Sequence, residues 1–133
     1  MKSIEAHGMI IIQENKLLVT KDNKDDFYKI PGGQPREKEN GEETAKRRLT
    51  EETGLIGTIK KQLSTKKLDK NPTTKEPMKI NLFHYKGKLK NYSENYNDYI
   101  HNRFKVKWIP INELQDYNIA PNITYLIKKG DIK

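Results

Sequence analysis

The chain contains no cysteine. Disulfides and thiolate metal sites are therefore excluded. A metal would need oxygen or imidazole donors, and with only His7, His84 and His101 to draw on, oxygen is the stronger expectation. Long apolar runs are missing as well. The longest is Met9-Ile10-Ile11-Ile12, far short of the roughly 20 apolar residues a spanning helix needs and of a signal-peptide core. The expectation is a cytoplasmic protein without a membrane partner. There is no internal repeat and no low-complexity tract. At 133 residues the chain suits one domain, 1–133, large enough to bury a core without covalent staples.

What is abundant is positive charge, and it is uneven. Between Lys60 and Lys90 ten lysines face only Asp69 and Glu76, a surplus of eight that equals the whole formal charge of +8. Such a segment can attract nucleic acid or a polyphosphate. A lysine-rich solubilising surface is the plainer reading.

"GMIIIQENKLLVTK" reads as a hairpin, with strands over about Ala6 to Gln13 and Lys16 to Lys21 and a turn at Glu14-Asn15. "FYKI" reads as a short strand stopped by Pro31-Gly32-Gly33, with loop on to Asn40. Gly41 to Thr53 predicts a helix: Glu42 and Glu43 lie in its first turn, basic residues follow, and Gly54 stops it. Further strands are expected over roughly Thr58 to Leu68, Met78 to Leu89 and Arg103 to Ile109, the last two separated by the tyrosine-rich loop "NYSENYNDYIHN". A helical turn at Asn112 to Asp116 and a helix from Pro121 to Gly130 close the chain. The order predicts an α/β protein with helices packed on a mixed sheet.

The chemistry concentrates between Gly32 and Leu55. Glu51 and Glu52 are about 100° apart on the helix, and their long side chains can converge on one hard cation. The preceding Pro-Gly-Gly lets backbone approach a ligand closely. Clustered carboxylates beside such a loop suit Mg²⁺ or Mn²⁺ bridging to phosphate oxygens.

The segment "GQPREKENGEETAKRRLTEETGL" resembles the signature box of the Nudix hydrolases, G-x5-E-x7-R-E-U-x-E-E-x-G-U with U aliphatic. Gly33, Glu39, Arg47, Leu49, Glu51, Glu52, Gly54 and Leu55 match eight of its nine defined positions. "YKIPGG" is similar to the lead into the box, and "VKWIPINEL" to the family's closing strand. The resemblance implies a Nudix-like α/β/α sandwich around a mixed β-sheet. It also implies cleavage of a nucleoside diphosphate linked to another moiety, by water attack at phosphorus with Mg²⁺ or Mn²⁺ neutralising the oxygens. Carried over, Glu52 is a metal ligand and Glu51 a ligand or water-activating group. Arg47 orients the glutamates and Glu39 supports the loop-helix geometry and the metal site. Gly32, Gly33, Tyr28 and Lys29 are the expected substrate-binding residues. RNA is a less favoured partner, and a homodimer is left open.

The departure is Arg48, which stands where the family has a principal metal-binding glutamate. Arg48 is about 40° from Glu52 and about 60° from Glu51 around the helix, on the same face. Opposite charges near a surface attract by several kcal/mol before desolvation, so Arg48 can pair with both glutamates in an ion's place. Three readings follow: an altered hydrolase holding one metal through Glu51, Glu52 and either Glu43 or Glu39; a module that binds nucleotide or RNA without cutting it; or an Arg48 that contacts substrate phosphate itself. A hydrolase of reduced activity is the expected function.

Other residues carry weaker signals. Glu94 and Asp98 are candidates for an additional metal-binding acid, each more plausible alone as a solvated loop acid. His101 reads as a surface histidine. Tyr92, Tyr96 and Tyr99 can stack on a base, whereas Phe27 and Trp108 read as core. Arg36 flanks the Pro-Gly-Gly loop, where a lone basic residue ordinarily meets water.

Overall fold

The computed structural model describes residues 3–92 and 94–133. Two sheets form the centre. In the first, β4 (Gly32–Gly33), β1 (Ser3–Ile10), β7 (Pro77–Leu89) and β5 (Gly57–Gln62) lie side by side, and β6 (Lys66–Lys70) also pairs with β7. In the second the order is β2 (Ile12–Gln13), β3 (Lys16–Lys21), β9 (Phe104–Pro110) and β8 (Tyr99–His101). The β1–β7 pair is parallel and the others antiparallel, so the first sheet is mixed.

The short apolar runs in the sequence have a simple cause: their strands are buried on both faces. Side chains alternate across a strand, and the core divides accordingly. Ile10, Leu17, Val19 and Ile109 point to one cluster, which also holds Ile123 and Leu126 of α2 (Pro121–Lys128). Met9, Ile11, Leu18 and Trp108 point to the other, against Ala45 and Leu49 of α1 (Gly41–Thr53). One helix therefore covers each face, giving a mixed α/β sandwich.

Helix α1 is fixed at both ends. The Asn40 side chain accepts from the Glu43 N–H at 2.8 Å while the Glu43 carboxylate accepts from the Asn40 N–H at 3.0 Å, two free donors satisfied reciprocally. At the other end Gly54 takes φ +77°, a left-handed conformation that glycine adopts without a Cβ clash. The Asn102 amide donates to the Glu51 carbonyl at 3.0 Å, tying the β8–β9 turn to the last turn of the helix.

Three sequence expectations are corrected. The strand expected over Thr58 to Leu68 is two strands, β5 and β6, because the chain between them turns its polar groups elsewhere. The Ser64 N–H donates to Asp131 at 3.0 Å, and the His84 Nδ1–H donates to the Ser64 carbonyl at 2.8 Å. "FYKI" makes only two isolated bridges, Thr20 with Lys29 and Tyr28 with Ile119. The tyrosine-rich loop ends earlier than expected, since Tyr99 to His101 joins the second sheet as β8.

Candidate functional site: a guanidinium among glutamates

The Gly32–Gly33 strand meets α1 beside β1. A Cβ at Gly32 would lie 2.5 Å from the His7 carbonyl oxygen, so the loop passes too close to β1 for any side chain there. This brings the Gly32 N–H to 3.0 Å from Glu52, to whose carboxylate it donates. The Thr20 hydroxyl donates to the other Glu52 oxygen at 2.5 Å. Glu52 is buried, and burial pushes its carboxyl above the usual range even though Thr20, Arg48, Gly32 and Lys29 all pull it down.

Arg48 faces both glutamates. Its guanidinium donates to Glu51 at 3.0 Å, to Glu52 at 2.9 Å and, through Nε, to the Gly32 carbonyl at 3.2 Å. Its Cζ lies 5.7 Å from the centre of the Phe104 ring. Arg47 takes the neighbouring direction, donating to Glu39 at 2.8 and 3.0 Å, to Glu51 at 2.8 Å and to the Gln34 carbonyl at 3.1 Å. Arg36 donates to the second Glu51 oxygen at 3.0 Å. The Arg47 guanidinium, the Thr44 hydroxyl and the Arg36 N–H hold the Glu39 carboxyl down to about 2.

Three guanidiniums and three carboxylates thus interlock, and the local charge is balanced. A divalent ion does not fit this arrangement. Arg48 stands between the two glutamates that would hold it, and Glu39 is turned to Arg47 and Thr44. Among the described residues no group of three histidine, aspartate or glutamate side chains is placed to hold a metal. Glu43 is engaged in the helix cap. Asp98 pairs with Lys107 at 2.8 Å, and neither it nor Glu94 borders the site.

A cavity of about 490 Å³ opens over this network. Its lining includes Gly32, Gly33, Lys29, Arg36, Arg47, Arg48 and Glu52 together with apolar residues such as Phe27, Ile80 and Phe83. Tyr28 does not line it. Phe27 and Lys29 face the cavity, whereas Tyr28 packs edge-on against Tyr117 with ring centres 6.2 Å apart. Phe27, read as core, is buried in the core and also lines the cavity, whereas Tyr28, expected to bind substrate, does not line it. Lys29 reaches the cavity already paired with the buried Asp25 at 2.6 Å. His101 lies against Gly54 at the end of α1, outside the cavity. Tyr99 donates its hydroxyl to the Thr53 carbonyl at 2.6 Å, and Tyr96 packs edge-on to Trp108.

The sequence reading missed Thr20, His84 and Asn122. His84 and Asn122 border the cavity, joined at 2.9 Å deep in the fold. The only signal for Thr20 was a hydroxyl ending the apolar run "KLLVT".

The elements define an α/β sandwich in which a Gly-Gly strand lies against a glutamate- and arginine-bearing helix. The NUDIX domain model matches residues 2–129, and the chain belongs to that family. Nudix hydrolases act on nucleotide-linked diphosphates and generally use divalent metals such as Mg²⁺ or Mn²⁺. Among solved structures, a NUDIX hydrolase from Nitrosomonas europaea is similar at TM-score 0.74 and 17% identity, over 96% of this chain and 87% of that one. A UDP-X diphosphatase is similar at 0.72 and 15%, over 98% of this chain and 65% of the other. The E. coli ORF135 protein is similar at 0.64 and 21%, over 96% and 88%. At these identities the likeness concerns the fold. Among curated proteins no sequence matches. No helix among the described residues is long and apolar enough to cross a membrane.

Proposed function

We propose that this protein is a Nudix pyrophosphohydrolase acting on a nucleotide-type diphosphate, with turnover slowed by Arg48. The observation that carries this reading is the cavity in which the Gly32–Gly33 backbone, three guanidiniums and the buried Glu52 share one wall. Guanidinium is a planar fork suited to phosphate oxygens. In this reading Arg48 exchanges its carboxylate partners for diphosphate oxygens, and Arg36 and Arg47 hold Glu51 and Glu39 in place meanwhile. Glu52 lines the cavity and Glu39 does not, which makes Glu52 the acceptor for the proton of the attacking water in this reading. Apolar lining residues, Phe27 and Phe83 among them, receive the base or the linked moiety in this reading.

A second reading is favoured by one observation: Arg48 is engaged by Glu51, Glu52 and the Gly32 carbonyl together. A guanidinium so held leaves a nucleotide-binding module without turnover. One experiment separates the two. Nucleoside triphosphates and nucleotide diphosphate conjugates are incubated with the wild-type protein, with Mg²⁺, with Mn²⁺ and with chelator, and released phosphate and nucleotide are measured. The hydrolase reading expects slow release from at least one diphosphate. No release, alongside tight metal-free binding of a nucleotide, would sink it.

A further inference from the structure

The lysine and arginine side chains that line the Gly32–Gly33 cavity are Lys29, Arg36, Arg47 and Arg48. Each guanidinium is bonded to Glu39, Glu51 or Glu52. Lys29 is not. Its partner at 2.6 Å is Asp25, an acid outside the box that does not itself line the cavity. An ammonium carries three N–H donors. One meets Asp25, and Asp22 at 4.0 Å stands beyond hydrogen-bond distance.

Lys29 is fixed at both ends. At its root, the Lys29 N–H donates to the Thr20 carbonyl at 2.8 Å and its carbonyl accepts from the Thr20 N–H at 2.9 Å, an antiparallel bridge. Residues paired in this way send their side chains to the same face, and the Thr20 hydroxyl is the one that donates to Glu52. The Lys29 stem therefore starts beside the Thr20–Glu52 contact, and its charge is felt at the Glu52 carboxyl. At its tip, Asp25 is itself held. The Asp25 side chain is 1% exposed against 36% for Lys29. Thr73 donates its hydroxyl to one carboxylate oxygen while Lys29 donates to the other. Burial raises the Asp25 carboxyl, but the bonds from Lys29 and Thr73 bring it below its ordinary value, so it stays charged. Thr73 lies in the turn between β6 and β7. The Asn71 side chain stiffens that turn by accepting from the N–H groups of Thr73 at 2.8 Å and Thr74 at 3.1 Å.

A lysine tethered to a buried acid has less rotamer freedom left to lose when it meets an anion. We propose that Asp25, latched by Thr73, is a positioning residue that presents the Lys29 ammonium to a phosphate oxygen of the ligand in the Gly32–Gly33 cavity. Lys29 then supplies a cation without disturbing the box glutamates, whereas Arg48 must first leave Glu51 and Glu52. The proposal rests on the diphosphate-binding reading of that cavity.

Isothermal titration calorimetry with α,β-methylene ADP, whose bridge is not hydrolysed, tests it, run with Mg²⁺ and with chelator. Lys29→Met should weaken binding about tenfold, the loss of one charged hydrogen bond. Asp25→Glu and Thr73→Val leave the charge unchanged but move or loosen the carboxylate. Each should weaken binding about threefold when Lys29 is present and have no further effect in the Lys29→Met background. Equal losses in both backgrounds would give Asp25 and Thr73 a purely structural role and overturn the proposal. Full-strength binding by Lys29→Met would also overturn it while leaving the cavity reading in place. No binding by the wild-type protein in either condition would refute the cavity reading and the proposal with it. Because Lys29→Met strands a buried acid, a second measurement uses the wild-type protein alone. The ¹⁵N resonance of the Lys29 ammonium should shift as the analogue saturates the protein, and a resonance that stays in place during binding overturns the proposal.

Discussion

Replacing Arg48 with glutamate restores the ninth position of the box and reverses the charge between Glu51 and Glu52. The structural cost can be worked out. Arg48 supplies one of three hydrogen bonds to Glu52, whose side chain is only 3% exposed, while its own side chain is 27% exposed. Removing one partner of a buried ion pair costs about 3–5 kcal/mol, and the partial exposure of Arg48 moves the figure towards the lower end. Crowding a third carboxylate beside Glu51 and Glu52 adds repulsion, so a loss of about 3 kcal/mol is expected in chelator. Metal should return much of it, because an ion at a hundred times its dissociation constant adds about 2.7 kcal/mol to a folded state that alone binds it. Urea unfolding followed through Trp108, the only tryptophan and 4% exposed, reads both effects. The variant should unfold earlier than wild type in chelator and recover with Mg²⁺, while wild type changes little. Equal stability of the two proteins in chelator would show that Arg48 does not hold Glu52. Equal responses to Mg²⁺ would refute its assignment to the cation position.

Other perturbations follow from the same contacts. Glu39, held down to about 2, binds its proton less tightly folded than unfolded. It therefore adds stability above its ordinary value of 4.5, and this is lost as pH falls towards 2; Glu39→Gln should flatten that acid limb in a pH series of unfolding midpoints. Glu52 has the opposite sign, its carboxyl being raised by burial. Its contribution is fully present below 4.5 and is lost as pH rises through its folded-state value, so Glu52→Gln should weaken that decline in the same series. Thr20→Val leaves one oxygen of Glu52 without its hydroxyl donor and should cost about 1–3 kcal/mol by urea unfolding. Gly41→Ala would place a Cβ 2.3 Å from the His7 ring and 2.6 Å from the Tyr85 hydroxyl, so it should destabilise by about 1–3 kcal/mol, again by urea unfolding.

The elements most legible in the sequence were those with local causes. Helix α1 carries its own start and stop in Asn40, Glu43 and Gly54, and the apolar runs around Met9 and Leu17 record strands buried on two faces. The break between β5 and β6 was not legible, because it depends on His84 and Asp131, which are 20 and 67 residues from Ser64. The choice of Phe27 over Tyr28 at the cavity was hidden for a similar reason. Alternation says that neighbours face opposite ways, but only the packing of Tyr117 on Tyr28 decides which one faces in. Around the box, spacing placed Arg48 on the glutamate face. It gave no hint that Thr20 and the Gly32 N–H complete the coordination of Glu52.

The central claim is that the Arg48 guanidinium holds the place between Glu51 and Glu52 where a cation would otherwise sit. Titration of the nucleotide-free wild-type protein with Mn²⁺, followed by the electron paramagnetic resonance signal of the free ion, tests it most directly. The predicted result is no saturable uptake into the millimolar range by wild type, and uptake of an ion by Arg48→Glu. Stoichiometric micromolar binding by the wild-type protein would contradict it.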